Sequence, residues 1–510
     1  MLNNKTVFSY VLVFIFGLLA SNIYSSFKDS LDEDSSRAKI NTILKLIEEN
    51  YVDEFSLDKY ESKVINSIMS YLDPHTSYIP KKEFSYVEDR MSGSFSGVGI
   101  EFNIVDDTLL VVSPISGGPS EQLGIKSGDK IIKVDGENIA NIGLTNDDVF
   151  EKLRGKKGSK VEVVILREGN SDLLYFDIIR GDIPMYSVDA SFLLRDKIGY
   201  LKLNRFSATT NQEFYQRTQS LLKQGMNKMV LDLRGNPGGY LGSAIYICNE
   251  FLNNGDLILF TEGRNRNRED FFSDHAGELK EIELVILINE GSASASEIVS
   301  GCMQDNDRAI IVGNRSFGKG LVQEEIKLND GSAIHVTTQR YYIPSGRSIQ
   351  KPYNENKEDY SLEIYNRPLN KQTDVSDSLK FFTKSGRIVY EGGGVTPDSI
   401  IHIDSTLDYS RVNFLQRNNL IMDFSFHYIA KNDISSEKYL NTEEMFNKFR
   451  RFVLRKDPDF DFTMGDVELR YLKNYIKAVI AKNLKGEESY YKVLVEEDEY
   501  IHKALEIFSQ

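Results

Sequence analysis

Four short apolar runs between residues 197 and 313 govern what this 510-residue chain can fold into. "KIGYLKLNRF" is followed by helical spacing at Phe214, Leu221 and Leu222. "KMVLDLRG" leads into a helical pattern over residues 241 to 252, and "LVILINE" into a stretch that alternates Ser with Ala. "RAIIVG" supplies a fourth run. Strands alternating with helices imply an α/β layered core, because each sheet face needs a helical cover.

The flanking segments have other textures. Residues 37–91 read as helical, with Ile40, Ile43, Leu44 and Ile47 at helical spacing, until the prolines of "YLDPHTSYIP" stop regular structure. Residues 92–182 turn to short β runs and glycine turns, broken by one capped helical run, "TNDDVFEKLRG". Residues 183–401 hold the layered core, with a hairpin expected around "NDG" at 329 to 331. Within it, residues 352–385, rich in Asn, Lys, Asp and Ser, read as a surface insertion. Residues 402–510 read as a helical C-terminal domain. The expected fold class is multidomain α+β.

From Thr6 to Phe27 no residue is charged, Lys5 precedes the run, and "DSLDEDSS" follows it. Such a run is long enough to span a bilayer. The charge order places the N-terminus inside and the rest outside. Residues 1–30 are therefore expected to be a signal peptide or a signal anchor. The lack of an A-x-A cleavage pattern favours the anchor. The body is expected outside the cytoplasm, periplasmic or in the cell envelope, attached to the inner membrane.

A net charge of -15 argues against a nucleic-acid partner, since phosphate binding rests on Lys and Arg. Cys248 and Cys302 fall on apolar helical faces and read as buried free thiols. Neither they nor the six scattered histidines have the spacing of a metal site, so no metal or cofactor is expected.

Chemistry is concentrated in three places. In "EGSASASEI" a strand runs through Gly291 into a helix, a geometry that exposes a side chain beside helix N–H groups. Ser292, Ser294 and Ser296 are its hydroxyls; Ser294 with Glu297 spells a capping box, so a plain helix cap is a competing reading. "DLRGNPGG", residues 232 to 239, ends in two glycines that leave N–H groups uncovered, as an oxyanion site or a simple tight turn would. In "RSFGKGLVQ", period-two geometry puts Lys319 and Gln323 on one face, where a surface lysine is the plain alternative. A Ser–Lys dyad unites the three. Burial must lower a lysine by about 3 pKa units, costing roughly 4 kcal/mol, before it can take a serine proton. His335 is the best placed histidine for a triad, but it has no evident carboxylate partner.

These residues resemble the carboxy-terminal processing peptidases, or tail-specific proteases. "EGSASASEI", "DLRGNPGG", "SFGKGLVQ", "YYIPSGRSIQ" and "GGGVTPD" are similar to that family's motifs in its order, as is "LDPHTSYI". The resemblance implies a serine-protease core of the ClpP/crotonase-like type, with Ser294 as nucleophile, Lys319 as general base and Gln323 orienting the lysine. It places oxyanion donors on the backbone of Gly238, Gly239 and Ala295. It also makes residues 92–182 a PDZ domain whose loop at Gly97, Val98, Gly99 and Ile100 binds a peptide carboxylate. The implied activity is exported serine endopeptidase, acting near unstructured C-terminal tails, with or without an adaptor protein. Two rivals stand beside it: an inactive PDZ scaffold, and an esterase using the same dyad.

Overall fold

The structure, a computed structural model, describes residues 36–353, 357–367, 379–402, 408–432 and 442–510. The uncharged run Thr6–Phe27, and with it the signal-or-anchor expectation, lies outside the described residues. Among the described residues, no helix is long and apolar enough to cross a membrane.

The chain divides after Asp73. The first unit holds the helices Ser36–Asn50 and Glu61–Met69. Ile40 and Ile43 keep about half their surface, so the apolar stripe predicted from the spacing buries little within this unit.

The second unit is organised by a six-stranded sheet in the order Val188–Leu193, Ile198–Leu203, Lys228–Asp232, Glu283–Ile288, Ile310–Gly313, Ser399–Ile400. The first pair is antiparallel and the rest are parallel. All six residues of Ile198–Leu203 are buried, because both sheet faces are covered. On one face Leu201, Leu231 and Ile286 pack with Phe214, Ile247, Phe251 and Ile298 of the crossover helices. Cys248 and Cys302 lie in that layer, buried and unbridged, as their spacing suggested. On the other face Tyr200, Val230, Val285 and Leu287 pack with Ile501, Ala504 and Leu505 from the helix Glu499–Ile507. The extreme C-terminus thus completes the layered core.

A second sheet lies against this core. Ala333–Tyr342 pairs with Leu321–Lys327 across the expected hairpin, with Leu257–Gly263, and with the short strand Ser77–Ile79. "LDPHTSYI" thereby becomes a sheet edge, where the prolines alone had suggested only a stop.

The segment from Ser94 to Pro184 is closed by its own ends, since Ser94–Gly97 pairs antiparallel with Gly181–Pro184. Between them lies a separate six-stranded sheet packed around Leu109, Val111, Ile131, Val161, Val163 and Ile165. Its helix Asn146–Leu153 is capped by Thr145, whose Oγ1 accepts the Asp148 N–H while the Asp148 carboxylate accepts the Thr145 N–H. Further on, helices between Ser410 and Lys485 form their own core around Leu415, Phe424, Phe449, Leu472 and Ile476.

One half-buried acid marks where the next helix, Glu487–Leu494, meets the sheet. Asp189 accepts hydrogen bonds from Asn204 and from the Tyr491 hydroxyl. Burial, reinforced by Glu487, pushes its pKa from 3.8 up to about 6. A carboxyl raised in the folded state favours folding while protonated and loses that contribution as pH rises through its folded pKa. The stability difference between Asp189→Asn and the parent is therefore expected to open in favour of the variant between pH 4 and pH 6. It should reach up to about 3 kcal/mol and stay flat above that window. Chemical denaturation of both proteins across pH 4 to 8 measures it; a pH-independent gap would contradict this account.

Candidate active site

Ser294 ends the loop between the strand Glu283–Ile288 and the helix Ala295–Asp305. Its φ is 54° and ψ -112°, a region that a residue with a Cβ rarely enters and that costs about 1–3 kcal/mol. The strand-to-helix turn must therefore be held from outside. Ser292 donates to the Leu233 carbonyl at 2.8 Å and receives the Asn289 N–H at 3.0 Å. Ser296 donates to the Asn236 carbonyl at 2.9 Å, which also takes the Ala293 N–H at 3.0 Å. Both flanking serines are fully buried and bolt the turn onto the 232–239 loop; Ser294 alone of the three is half-exposed. Ser294 is the N-cap of its helix, as the capping-box spelling suggested: the Glu297 carboxylate accepts the Ser294 N–H at 2.8 Å, and the Glu297 N–H is donated to the Ser294 carbonyl at 2.8 Å.

The 232–239 loop touches the turn directly. A Cβ on Gly238 would come within 2.7 Å of the Ala293 carbonyl and 2.8 Å of Ser294 Cβ, so only glycine fits there. The Gly238 N–H is donated to Asn236 Oδ1 at 2.9 Å. Among the described residues, the N–H groups of Gly239 and Ala295 form no hydrogen bond. Of the three backbone donors expected from the sequence, the latter two are thus the available ones.

Lys319 stands two residues before the strand Leu321–Lys327. Its Nζ donates to Gln323 Oε1 at 2.6 Å, and Gln323 Nε2 donates to the His75 carbonyl at 2.8 Å. The sheet edge formed by Ser77–Ile79 brings His75 here, which the sequence did not foretell.

Glu297, which the sequence marked only as half of a capping box, binds the two candidate residues together. Its Oε2 accepts the N–H groups of Ser294 and Lys319, each at 2.8 Å, and its Oε1 accepts the Gly318 N–H at 2.7 Å and the Ser316 hydroxyl at 2.5 Å. The carboxyl is fully buried, and burial raises its pKa against the pull of these four donors. Tyr341, also buried, places its hydroxyl 2.8 Å from the Lys319 carbonyl and 3.1 Å from that of Ser294.

The segment read as a surface insertion departs from expectation. Its helix Lys357–Asn366 buries Tyr360 against Phe317 and His75. The Lys351 ammonium sits 4.1 Å from the ring centres of both Phe317 and Tyr360. Arg367 donates to the carbonyls of Ser316 and Phe317. Aromatic stacking and arginine bonding override the polar composition that suggested exposure. His335 also differs: it has a carboxylate neighbour, Glu325, at 3.3 Å across the hairpin, where none was evident in the sequence.

In the 94–184 segment, Gly99 adopts φ 77° and a Cβ there would meet the Ile183 side chain at 2.9 Å. Gly97, Val98, Gly99 and Ile100 line a small apolar pocket with Phe95, Phe102, Val149 and Leu153. Arg154 also lines it, paired with Asp89 at 2.8 Å and lying over the Phe95 ring.

Residues 197–360 match the family model of peptidase family S41, and residues 110–167 match that of the PDZ domain. A carboxy-terminal-processing protease from Bartonella bacilliformis is 37% identical over 322 residues, 61% of this chain and 72% of that protein. The carboxy-terminal processing protease CtpB of Bacillus subtilis is 34% identical over 323 residues, 63% of this chain and 67% of that protein. Among solved structures, a photosystem II D1 C-terminal processing protease aligns at 26% identity over 72% of this chain and 87% of that one, with a TM-score of 0.38. The chain belongs to the carboxy-terminal processing proteases of peptidase family S41, serine-type peptidases, and carries a PDZ domain.

Proposed function

We propose that this protein is an exported endopeptidase that cleaves polypeptides near unstructured C-terminal tails through a dyad of Ser294 and Lys319. The observation that carries the reading is the Glu297 carboxylate, which holds the N–H groups of both residues while Gln323 grips the lysine tip. Ser294 Oγ attacks the scissile carbonyl and neutral Lys319 takes its proton, passing it on to the leaving amine. The oxyanion meets the N–H groups of Gly239 and Ala295. Water, deprotonated by the same amine, then hydrolyses the acyl-enzyme. Among described residues no cluster of His, Cys, Asp and Glu is arranged to hold a metal ion, and no step calls for one.

In this reading the PDZ loop receives the tail's carboxylate and the pocket beneath it takes an apolar last side chain. The domain limits follow: PDZ at 92–182, peptidase core at 183–401, helical C-terminal region from 402 to 510. Residues 1–30 direct the body across the inner membrane and hold it there. Cleavage of a bare tail by the purified protein would show that no adaptor is required.

Full-length protein incubated with an unstructured polypeptide ending in apolar residues is expected to yield fragments by mass spectrometry. Ser294→Ala and Lys319→Ala should each lower kcat/KM by about 10³-fold or more. Intact cleavage in either variant would sink the dyad. Because the base must be neutral, kcat/KM should climb with pH along a limb set by the lysine and flatten above it. Gln323→Ala, by removing the acceptor at the lysine tip, is expected to lower kcat by about 10- to 100-fold while changing KM little.

Glu297→Gln tests the central carboxylate. An amide has one acceptor oxygen where four donors converge, so its own NH₂ must face at least one N–H. We expect a stability loss of about 1–3 kcal/mol and at least a 10-fold fall in kcat, read by thermal denaturation and steady-state kinetics. Unchanged kcat in the folded variant would remove Glu297 from the machinery.

A further inference from the structure

The loop that carries Gly239 is anchored from the far end of the chain. Arg234 fixes its start, and the guanidinium is shared between two carboxylates. Asp232, buried at the end of its strand, takes Nε and Nη2 at 2.6 to 3.1 Å and the Arg234 backbone N–H at 3.0 Å. Asp498 takes Nη1 at 3.2 Å and Nη2 at 2.7 Å, a bidentate grip from the residue that precedes the last helix. Lys202 donates to Asp232 and to the Arg234 carbonyl, and the Tyr200 hydroxyl donates to Asp232 at 2.8 Å.

Charge balance at the guanidinium calls on the second carboxylate. Asp232 is shared between Lys202 and Arg234, Asp189 acts on Lys202 from the neighbouring strand, and Asp498 supplies the other carboxylate that pairs with Arg234. Arg234 is about one-fifth exposed, Asp498 about one-sixth and Asp232 almost fully buried, so an unmatched cation here would lack solvent to offset it. The first turn of the same helix reinforces the contact. The Tyr500 ring lies 4.6 Å beneath the guanidinium, and its hydroxyl accepts from Asn314 at 2.7 Å. Asn314 directly precedes Arg315, where the lysine loop begins. A Cβ on Gly313 would meet the Tyr500 ring at 2.9 Å, so the fit is close.

We propose that Asp498 is a positioning residue for peptide-bond hydrolysis: through Arg234 it sets the loop whose Gly239 N–H meets the oxyanion, making the C-terminal helix a part of the catalytic apparatus. The inference rests on the protease reading of Ser294 and Lys319. Asp498 touches neither substrate nor the reacting atoms, and its effect falls on the tetrahedral state, where the oxyanion is, more than on bound substrate.

Asp498→Asn isolates this role. Asp498 Oδ1 also caps its helix by accepting the Tyr500 N–H at 2.9 Å, and asparagine caps a helix equally well, so the variant removes the charge and keeps the cap. In the full-length protein we expect kcat to fall at least 10-fold with KM within about 2-fold of the parent. The affinity for a peptide boronate, which mimics the tetrahedral state, should weaken by the same factor as kcat. Asp498→Glu should restore part of the loss. Asp498→Ser, another capping residue without charge, should show the same loss of kcat and is the variant read if the Asn protein folds poorly.

A folded Asp498→Asn or Asp498→Ser protein with parental kcat overturns the inference. So does a loss carried by KM alone, or a kcat loss with boronate affinity intact. Lack of cleavage by the parent, or cleavage by Lys319→Ala, would instead strike the protease reading and is scored separately.

Discussion

One buried carboxylate sets the terms for the site. Glu297 cannot sit fully desolvated unless its lone pairs are met, and four donors meet them. Two of those donors are backbone N–H groups of Ser294 and Lys319, which lie twenty-five residues apart. The carboxylate cannot be satisfied unless the serine turn and the lysine loop are both in place. The strained φ of Ser294 persists for the same reason: the surroundings over-determine it.

The rest of the unit is arranged around keeping those two loops still. Parallel strands bring the 232–239 loop and the serine turn out at the same sheet edge, where Ser292 and Ser296 fasten one to the other. The second sheet presents Tyr341 to the carbonyls of both candidate residues, and its edge strand delivers His75 to Gln323. Two segments distant in sequence contribute as well. Arg367 grips the outer side of the lysine loop, and Asp498 grips Arg234 from the last helix.

Local chemistry was readable from the sequence, and long-range assembly was not. The alternation of apolar runs with helical periodicity located the layered core, and Thr145 signalled its helix through a capping box. Lys319 stood out because glycines flank it, and Gln323 because period two puts it on the same face, both local properties; the choice of Ser294 over Ser292 and Ser296 came from the resemblance to the family's motif. Glu297 was spelled as a cap partner, and nothing in four residues reveals that its carboxylate also reaches Gly318. His75 contributes a carbonyl, a group every residue has, so no sequence signal could mark it. Tyr360 and Arg367 lie in a polar stretch whose composition suggests solvent; three aromatic rings and two carbonyls decided otherwise. Asp498 lies 264 residues from its partner in a charged helix and reads as an ordinary N-cap.

This pattern has a physical reason. A nucleophile and a base need particular side chains beside particular backbone freedom, and both leave traces within a few residues. Rigidity comes from any group that can fill a donor, acceptor or charge deficit, and many residues qualify. The C-terminal helix illustrates the difference: its apolar face buries Ile501, Ala504 and Leu505 as any amphipathic helix would, while its N-cap residue Asp498 supplies a second carboxylate to the Arg234 guanidinium. Packing holds the helix to the sheet, and that same packing brings a carboxylate within reach of the 232–239 loop. A segment whose periodicity speaks only of stability therefore sets the geometry on which the chemistry depends.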